Sequence, residues 1–284
     1  MRRAALSWMA AALLAAACAA VPVGAAAPAR IISLSLCTDQ FLLAVAARDQ
    51  IAGLTHLAGD PHLSPYAAQA AGLFLHDGTA EQVLLQHPDL VLAGSFARGA
   101  TVEMLERLGV PVLRLKSPRS LAEIPDQVEQ VANAVGRPEA GRALAASLRA
   151  RLAPAATPFA SAALYRPGGE VPGARSLVAD MMQVAGLANS GGRLTGRPNG
   201  RVAVESLVLD PPNLLVLDSV RPDRPGIGQS VLSHPALAAG AAGLRTVNFP
   251  ILYWLCASPA SIDGAYILAS RARQALAAGQ GGAS

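Results

Sequence analysis

Two fifteen-residue stretches of this chain repeat one plan: residues 81–95 read EQVLLQHPDLVLAGS, and residues 205–219, which lie 124 positions later, read ESLVLDPPNLLVLDS. In each, a glutamate (Glu81, Glu205) opens a short amphipathic helix and a proline seven residues on (Pro88, Pro212) stops it. An Asp or Asn (Asp89, Asn213) then leads into an apolar strand. A helix, turn and strand in that order is common in α/β proteins, so a single copy carries little information. Two copies, one in each half, point to two regions built alike, with equivalent carboxylates on equivalent helices.

The segments around the repeat extend the pattern. Apolar runs at 31–36, 51–54, 72–75, 90–93 and 112–115 alternate with helical patterns at 39–47, 80–86 and 100–108. That alternation predicts βαβ units and a mainly parallel sheet. Helices are expected at 121–135 and 138–152; the second has Pro138 in its first turn and Leu144, Leu148 and Leu152 spaced by four. Past a strand at 160–164 and a loop rich in Gly and Pro at 166–173, the alternation resumes with a helix at 176–185, strands at 214–217 and 245–248, and a last helix at 261–276. The expected fold class is α/β: two Rossmann-like lobes with mainly parallel sheets, residues 28–136 and 157–284, joined by one long rigid helix within 137–156.

Residues 1–27 carry a basic start (Arg2, Arg3), an apolar run from Ala4 to Val23 and small residues before Pro28. This is the layout of a cleaved secretory signal peptide, so the periplasm is the expected compartment. The run is mostly Ala and contains Pro22, which argues against a transmembrane anchor. Cys18 raises the alternative of a lipid anchor, but the preceding leucine, Leu14, stands one position too far upstream. Without residues 1–27 the remaining 257 residues hold 21 basic and 19 acidic side chains. Lys116 is the only lysine, so a nucleic-acid partner is not expected. The two cysteines beyond the signal, Cys37 and Cys256, either form one disulfide in an oxidising compartment or stand as separate buried thiols.

In open parallel sheets ligands sit beyond the carboxyl ends of the strands. The loops there hold Cys37, Thr38, His56, Asp77 and Phe96 in the first half, and Tyr165, Arg221, Tyr253, Trp254 and Cys256 in the second. Aromatic residues are only 4% of the chain, yet four of them fall in these loops, which predicts a wide, partly apolar cleft for a large ligand. The five histidines are scattered, and only His56 and His76 are placed to meet, so no directly bound metal ion and no cofactor is expected. The chain has no G-x-S-x-G elbow, no H-E-x-x-H and no phosphate loop. A secreted enzyme using Cys37 as nucleophile is the alternative from a different class.

The segments RIISLSLCTDQFLLAV, TAEQVLLQHPDLVLAG, VAVESLVLDPPNLLVLDS and YWLCASPASI resemble the periplasmic binding proteins for vitamin B12 and ferric siderophores. The resemblance spans nearly the whole chain after the signal. It implies two α/β lobes joined by one long helix, with the ligand in the cleft between them and little hinge motion. It also implies a monomeric binding subunit of an ABC importer rather than an enzyme. One surface glutamate on each lobe would engage arginines of an inner-membrane permease, and Glu81 and Glu205 occupy those positions. The loop of Trp254 followed by Ala257, Ser258 and Pro259 is like the B12 binders, so a cobalamin-like corrinoid is the first expectation, a ferric siderophore the second and haem the third. Cys37 and Cys256 are not part of that family's general pattern.

Overall fold

The computed structural model describes residues 26–153, 157–197, 199–219, 227–237 and 244–278. The first half is a five-stranded sheet of β1 (Ile31–Ser33), β2 (Ile51–Thr55), β3 (Leu75–His76), β4 (Leu90–Ala93) and β5 (Val112–Arg114), in the order β3-β2-β1-β4-β5. Every pairing in it is parallel. Helices α1 (Leu36–Val45), α2 (Ala67–Ala70), α3 (Ala80–Leu84) and α4 (Gly99–Arg107) connect the strands.

Two helices follow, α5 (Ile124–Ala134) and α6 (Pro138–Ala150). The second half contains β6 (Ala160–Tyr165), β7 (Glu170–Pro172), α7 (Leu177–Val184), β8 (Leu187–Asn189), α8 (Gly191–Thr195), β9 (Asn199–Arg201), α9 (Val204–Leu209), β10 (Leu214–Ser219), β11 (Thr246–Pro250) and α10 (Pro259–Ala278). Its main sheet is again parallel, in the order β11-β10-β6-β8. The order β2-β1-β4-β5 of the first sheet therefore maps onto β8-β6-β10-β11 of the second. The repeated sequence falls on α3–β4 and α9–β10, which hold the same place in each.

Period-two alternation gives each sheet two buried faces. Ile31, Leu90 and Leu92 point one way, while Ile32, Val91 and Ala93 point the other. In the second sheet Leu164, Leu214 and Val216 face one side, and Ala163, Tyr165, Leu215 and Leu217 the opposite side. The faces of the two sheets that look toward α1, α5, α7 and α10 belong to one continuous core, so the halves share apolar packing. A hydrogen bond from the Leu121 amide to Asp180 Oδ2, 3.1 Å, also crosses between them.

The connecting segment contains α6. α6 is 13 residues, about 20 Å at 1.5 Å per residue, and lies against α5. Gly141 lets the two approach so closely that a Cβ there would stand 2.2 Å from Ala132 Cβ. Arg149 of α6 reaches back to Asp126 and Glu129 of α5, both at 2.6 Å.

Three local expectations are corrected. The loop at 166–173 contains β7, which pairs antiparallel with β9, and β8, α8 and β9 were not anticipated, because strands such as Asn-Gly-Arg carry neither β-branched residues nor alternation. The strand placed at 72–75 forms at Leu75–His76 instead, since Gly72 is in the left-handed region at φ 78°. Finally, Cys37 lies in the first turn of α1 rather than in a loop, because Ser35 accepts the Thr38 amide and caps the helix there.

Candidate functional site

The carboxyl ends of β1, β2, β3 and β4 lead into Leu36–Thr38, His56, Asp77 and Gly94–Phe96, and the residues after β11 bring Leu255, Cys256 and Ala257 opposite them. Between these groups the halves enclose two neighbouring cavities. The larger, about 350 Å³, is walled by Leu34, Leu36, Leu57, Phe96 and Leu255, with Ser35, Thr55, His56, Asp77 and Arg98 as its charged or polar groups. A second of about 200 Å³ is lined by Phe41, Leu115, Leu177 and Leu255, with Lys116, Ser117 and Gln127 supplying polarity. Cys37, Cys256, Phe96 and Leu255 border both. Cys37 and Cys256 are joined by a disulfide with a Cα–Cα distance of 5.2 Å.

The parallel register explains one polar pair. Thr55 stands opposite His76 where β2 and β3 adjoin, so the next residue along β2, His56, comes beside Asp77. His56 Nδ1 lies 3.1 Å from Asp77 Oδ1, and both side chains are more than half exposed. Among the described residues His56 makes no other polar contact. His76 behaves differently. It is buried, its Nε2–H donates to the Ser33 carbonyl (3.1 Å), and its Nδ1 accepts from the Gly78 amide (2.9 Å). Burial pulls its pKa down, so the ring is neutral and both nitrogens are used.

Behind the cavities, Asp39 is fully buried and accepts from the Thr55 amide (3.2 Å) and hydroxyl (2.5 Å). Burial pushes its carboxyl up to about 7 against the hydrogen bonds from Thr55 and Ser33 that lower it. Thr38, also buried, donates its hydroxyl to the Ser35 carbonyl and borders the smaller cavity. In the second half, buried Asp218 accepts from Arg166 Nε and Trp254 Nε1, both at 3.3 Å. Burial raises its pKa despite the Arg166 charge.

Of the predicted site residues, Cys37, Thr38, His56, Asp77, Phe96 and Cys256 border these cavities. Tyr165 and Trp254 border neither cavity. Tyr165 ends β6 on the face away from the shared core, and its hydroxyl donates to the Val202 carbonyl at 2.9 Å. Trp254 is 7% exposed and packs against Phe249 just after the turn at Ile251–Tyr253, with ring centroids 4.8 Å apart and planes tilted by 41°. Tyr253 is half-buried, 5.4 Å from the same Phe249 ring, and likewise borders neither cavity. Arg221 lies outside the described residues. Sequence reasoning missed Leu255, Arg98 and Lys116. Leu255 adjoins Cys256, and Lys116 follows β5, so position along the chain is the signal that marks both, while neither is an aromatic ring or a histidine.

Glu81 and Glu205 are each the second residue of their helices, α3 and α9, and both are exposed. Among the described residues no group of three or more His, Cys, Asp or Glu side chains could hold a metal ion, and no helix is long and apolar enough to cross a membrane. With its sulfur bonded to Cys256, Cys37 carries no thiolate for nucleophilic attack.

Two parallel α/β halves with a largely apolar cleft at the carboxyl ends of both sheets define a two-lobed substrate-binding protein. The chain belongs to the periplasmic binding protein family, whose model matches residues 31–244. The apo periplasmic haem-binding protein RhuT of Roseiflexus sp. RS-1 has the same fold at TM-score 0.67 and 22% identity, over 87% of this chain and 98% of that one. The periplasmic vitamin B12 binding protein BtuF of Vibrio cholerae aligns at TM-score 0.63 and 17% identity, over 87% and 98%. The ABC-type Fe3+-hydroxamate transport system of Saccharomonospora viridis DSM 43017 aligns at TM-score 0.57 and 22% identity, over 86% and 93%. A comparison with curated protein sequences finds no match.

Proposed function

We propose that this protein is the periplasmic substrate-binding subunit of an ABC importer, capturing a bulky ligand between lobes 28–136 and 157–284 and delivering it to an inner-membrane permease. Residues 137–156 link the lobes, residues 1–27 direct export, and the subunit works as a monomer without catalysis. The observation that carries the reading is the cleft itself, apolar walls from both halves meeting at the strands' carboxyl ends with a few polar groups. Such a lining suits a large ligand with an extended apolar surface. A cobalamin-like corrinoid or a ferric siderophore is the proposed cargo, in contact with Cys37, Thr38, His56, Asp77, Phe96 and Cys256.

One observation favours haem as a second reading. His56 pairs with Asp77, Nδ1 to Oδ1 3.1 Å, at the larger cavity, and a carboxylate beside one imidazole nitrogen is the arrangement that orients a metal-ligating histidine. A thermal-shift screen with cyanocobalamin, ferrichrome and haemin tests the proposal. The true class should raise the unfolding temperature, since saturation at 100 times the dissociation constant adds about 2.7 kcal/mol. No shift with any of the three overturns the proposed cargo.

A further inference from the structure

We infer that the Cys37–Cys256 disulfide is itself part of the ligand-binding wall, so that its redox state and the affinity for ligand are coupled. This rests on the cleft being the ligand site, as proposed above. The two half-cystines come from opposite halves: Cys37 from the first turn of α1, Cys256 from the loop before α10. They border both cavities, as do Phe96 and Leu255 on either side of them. Ligand in either cavity therefore meets the bond, and ligand spanning both must sit across it. The same bond closes a separation of 219 residues in sequence and fixes the spacing of the two walls where the ligand is held.

Reduction by a dithiol breaks the single S–S bond, leaves a thiol on each cysteine and closes the dithiol to its own disulfide. Two thiols cannot occupy the volume of one disulfide, and the walls lose their covalent tie. A cleft held at fixed width has less freedom to lose when ligand binds, so the oxidised form should bind more tightly. Reciprocity then requires bound ligand to disfavour reduction by the same factor.

The test compares oxidised protein, dithiothreitol-reduced protein and the C37S/C256S variant, with cyanocobalamin, ferrichrome and haemin as probes and circular dichroism to verify folding. Affinity for the probe that binds should fall at least about tenfold on reduction or substitution, within the usual range of coupling. The fraction reduced at a fixed dithiothreitol ratio should shift equally when that probe saturates the protein. A disulfide serving only fold stability would leave both readouts unmoved. Should the reduced forms not fold, the rate of reduction of the folded, oxidised protein suffices: the probe should slow it about tenfold. Equal affinity in oxidised and reduced forms, or an unaltered reduction rate, overturns the inference while leaving the cleft as the ligand site. Absence of binding by every probe in every form overturns both.

Discussion

Asp39 is a buried carboxyl whose hydrogen bonds do not compensate its lost hydration, and its pKa of about 7 makes it a pH-dependent element of stability. The folded state holds its proton more tightly than the unfolded chain, whose value is near 3.8. Its contribution is therefore fully present below that value, declines as pH rises and is gone above about 7. The neutral, buried His76 works in the opposite direction: its contribution is present above its unfolded value and is lost as pH falls from there through its lower folded one. Denaturation midpoints of wild type and D39N at pH 5 and pH 8 separate the two: the decline toward pH 8 should be smaller in D39N, and an identical decline would disprove the assignment. Phe96 and Trp254 show what sequence could not tell about single residues. Both are aromatic and both follow strands, but one is 75% exposed at the cavities and the other 7% exposed against Phe249. W254A should cost about 3–5 kcal/mol of stability. F96A should alter stability by less than about 0.5 kcal/mol, while weakening ligand by more than about 1 kcal/mol if its ring is an anchor. Chemical denaturation and titration on the same samples check both.

The long elements with clear periodicity, α5, α6, α10 and the strands of the repeat, were legible in sequence because apolar spacing and bounding prolines agreed. The short ones were not: β7, β8 and β9 are three residues each and exist through tertiary pairing rather than local preference. Helix packing was equally hidden, since Gly141 reads as a weak spot in a helix until α5 is laid against it. Ala is favoured over Gly within a helix by about 1 kcal/mol. Against this, the added Cβ would meet Ala132 Cβ at 2.2 Å, and overpacking of that kind costs roughly 1–3 kcal/mol. The contact should prevail, and G141A should lower the unfolding temperature by a few degrees in a thermal melt. A rise would mean that α5 and α6 separate freely and that the close approach carries no energy.

For the whole molecule, the repeat foretold two halves of one topology, but not how they are held. A shared core, the Leu121–Asp180 hydrogen bond and the Cys37–Cys256 disulfide all depend on distances between residues far apart in sequence. Each makes a wide hinge motion costly, so the molecule presents its outer surface as a nearly rigid frame. On that frame Glu81 and Glu205 occupy matching places, each in the first turn of the helix that precedes an equivalent strand. A carboxylate there also favours the helix dipole, by roughly 0.3 to 1 kcal/mol, and this structural role alone would account for one glutamate. We propose that two at a fixed separation dock onto arginines of a permease; charged contacts of this kind govern orientation and association rate more than ligand affinity. The E81Q/E205Q variant should keep its ligand affinity and lose at most about 1–2 kcal/mol of stability, because both side chains are exposed and neither borders the two cleft cavities. In vesicles reconstituted with the permease, it should fail to support ligand uptake, whereas each single variant should retain part of it. Uptake at the wild-type rate by the double variant would reduce both glutamates to helix-end charges and leave docking to another surface.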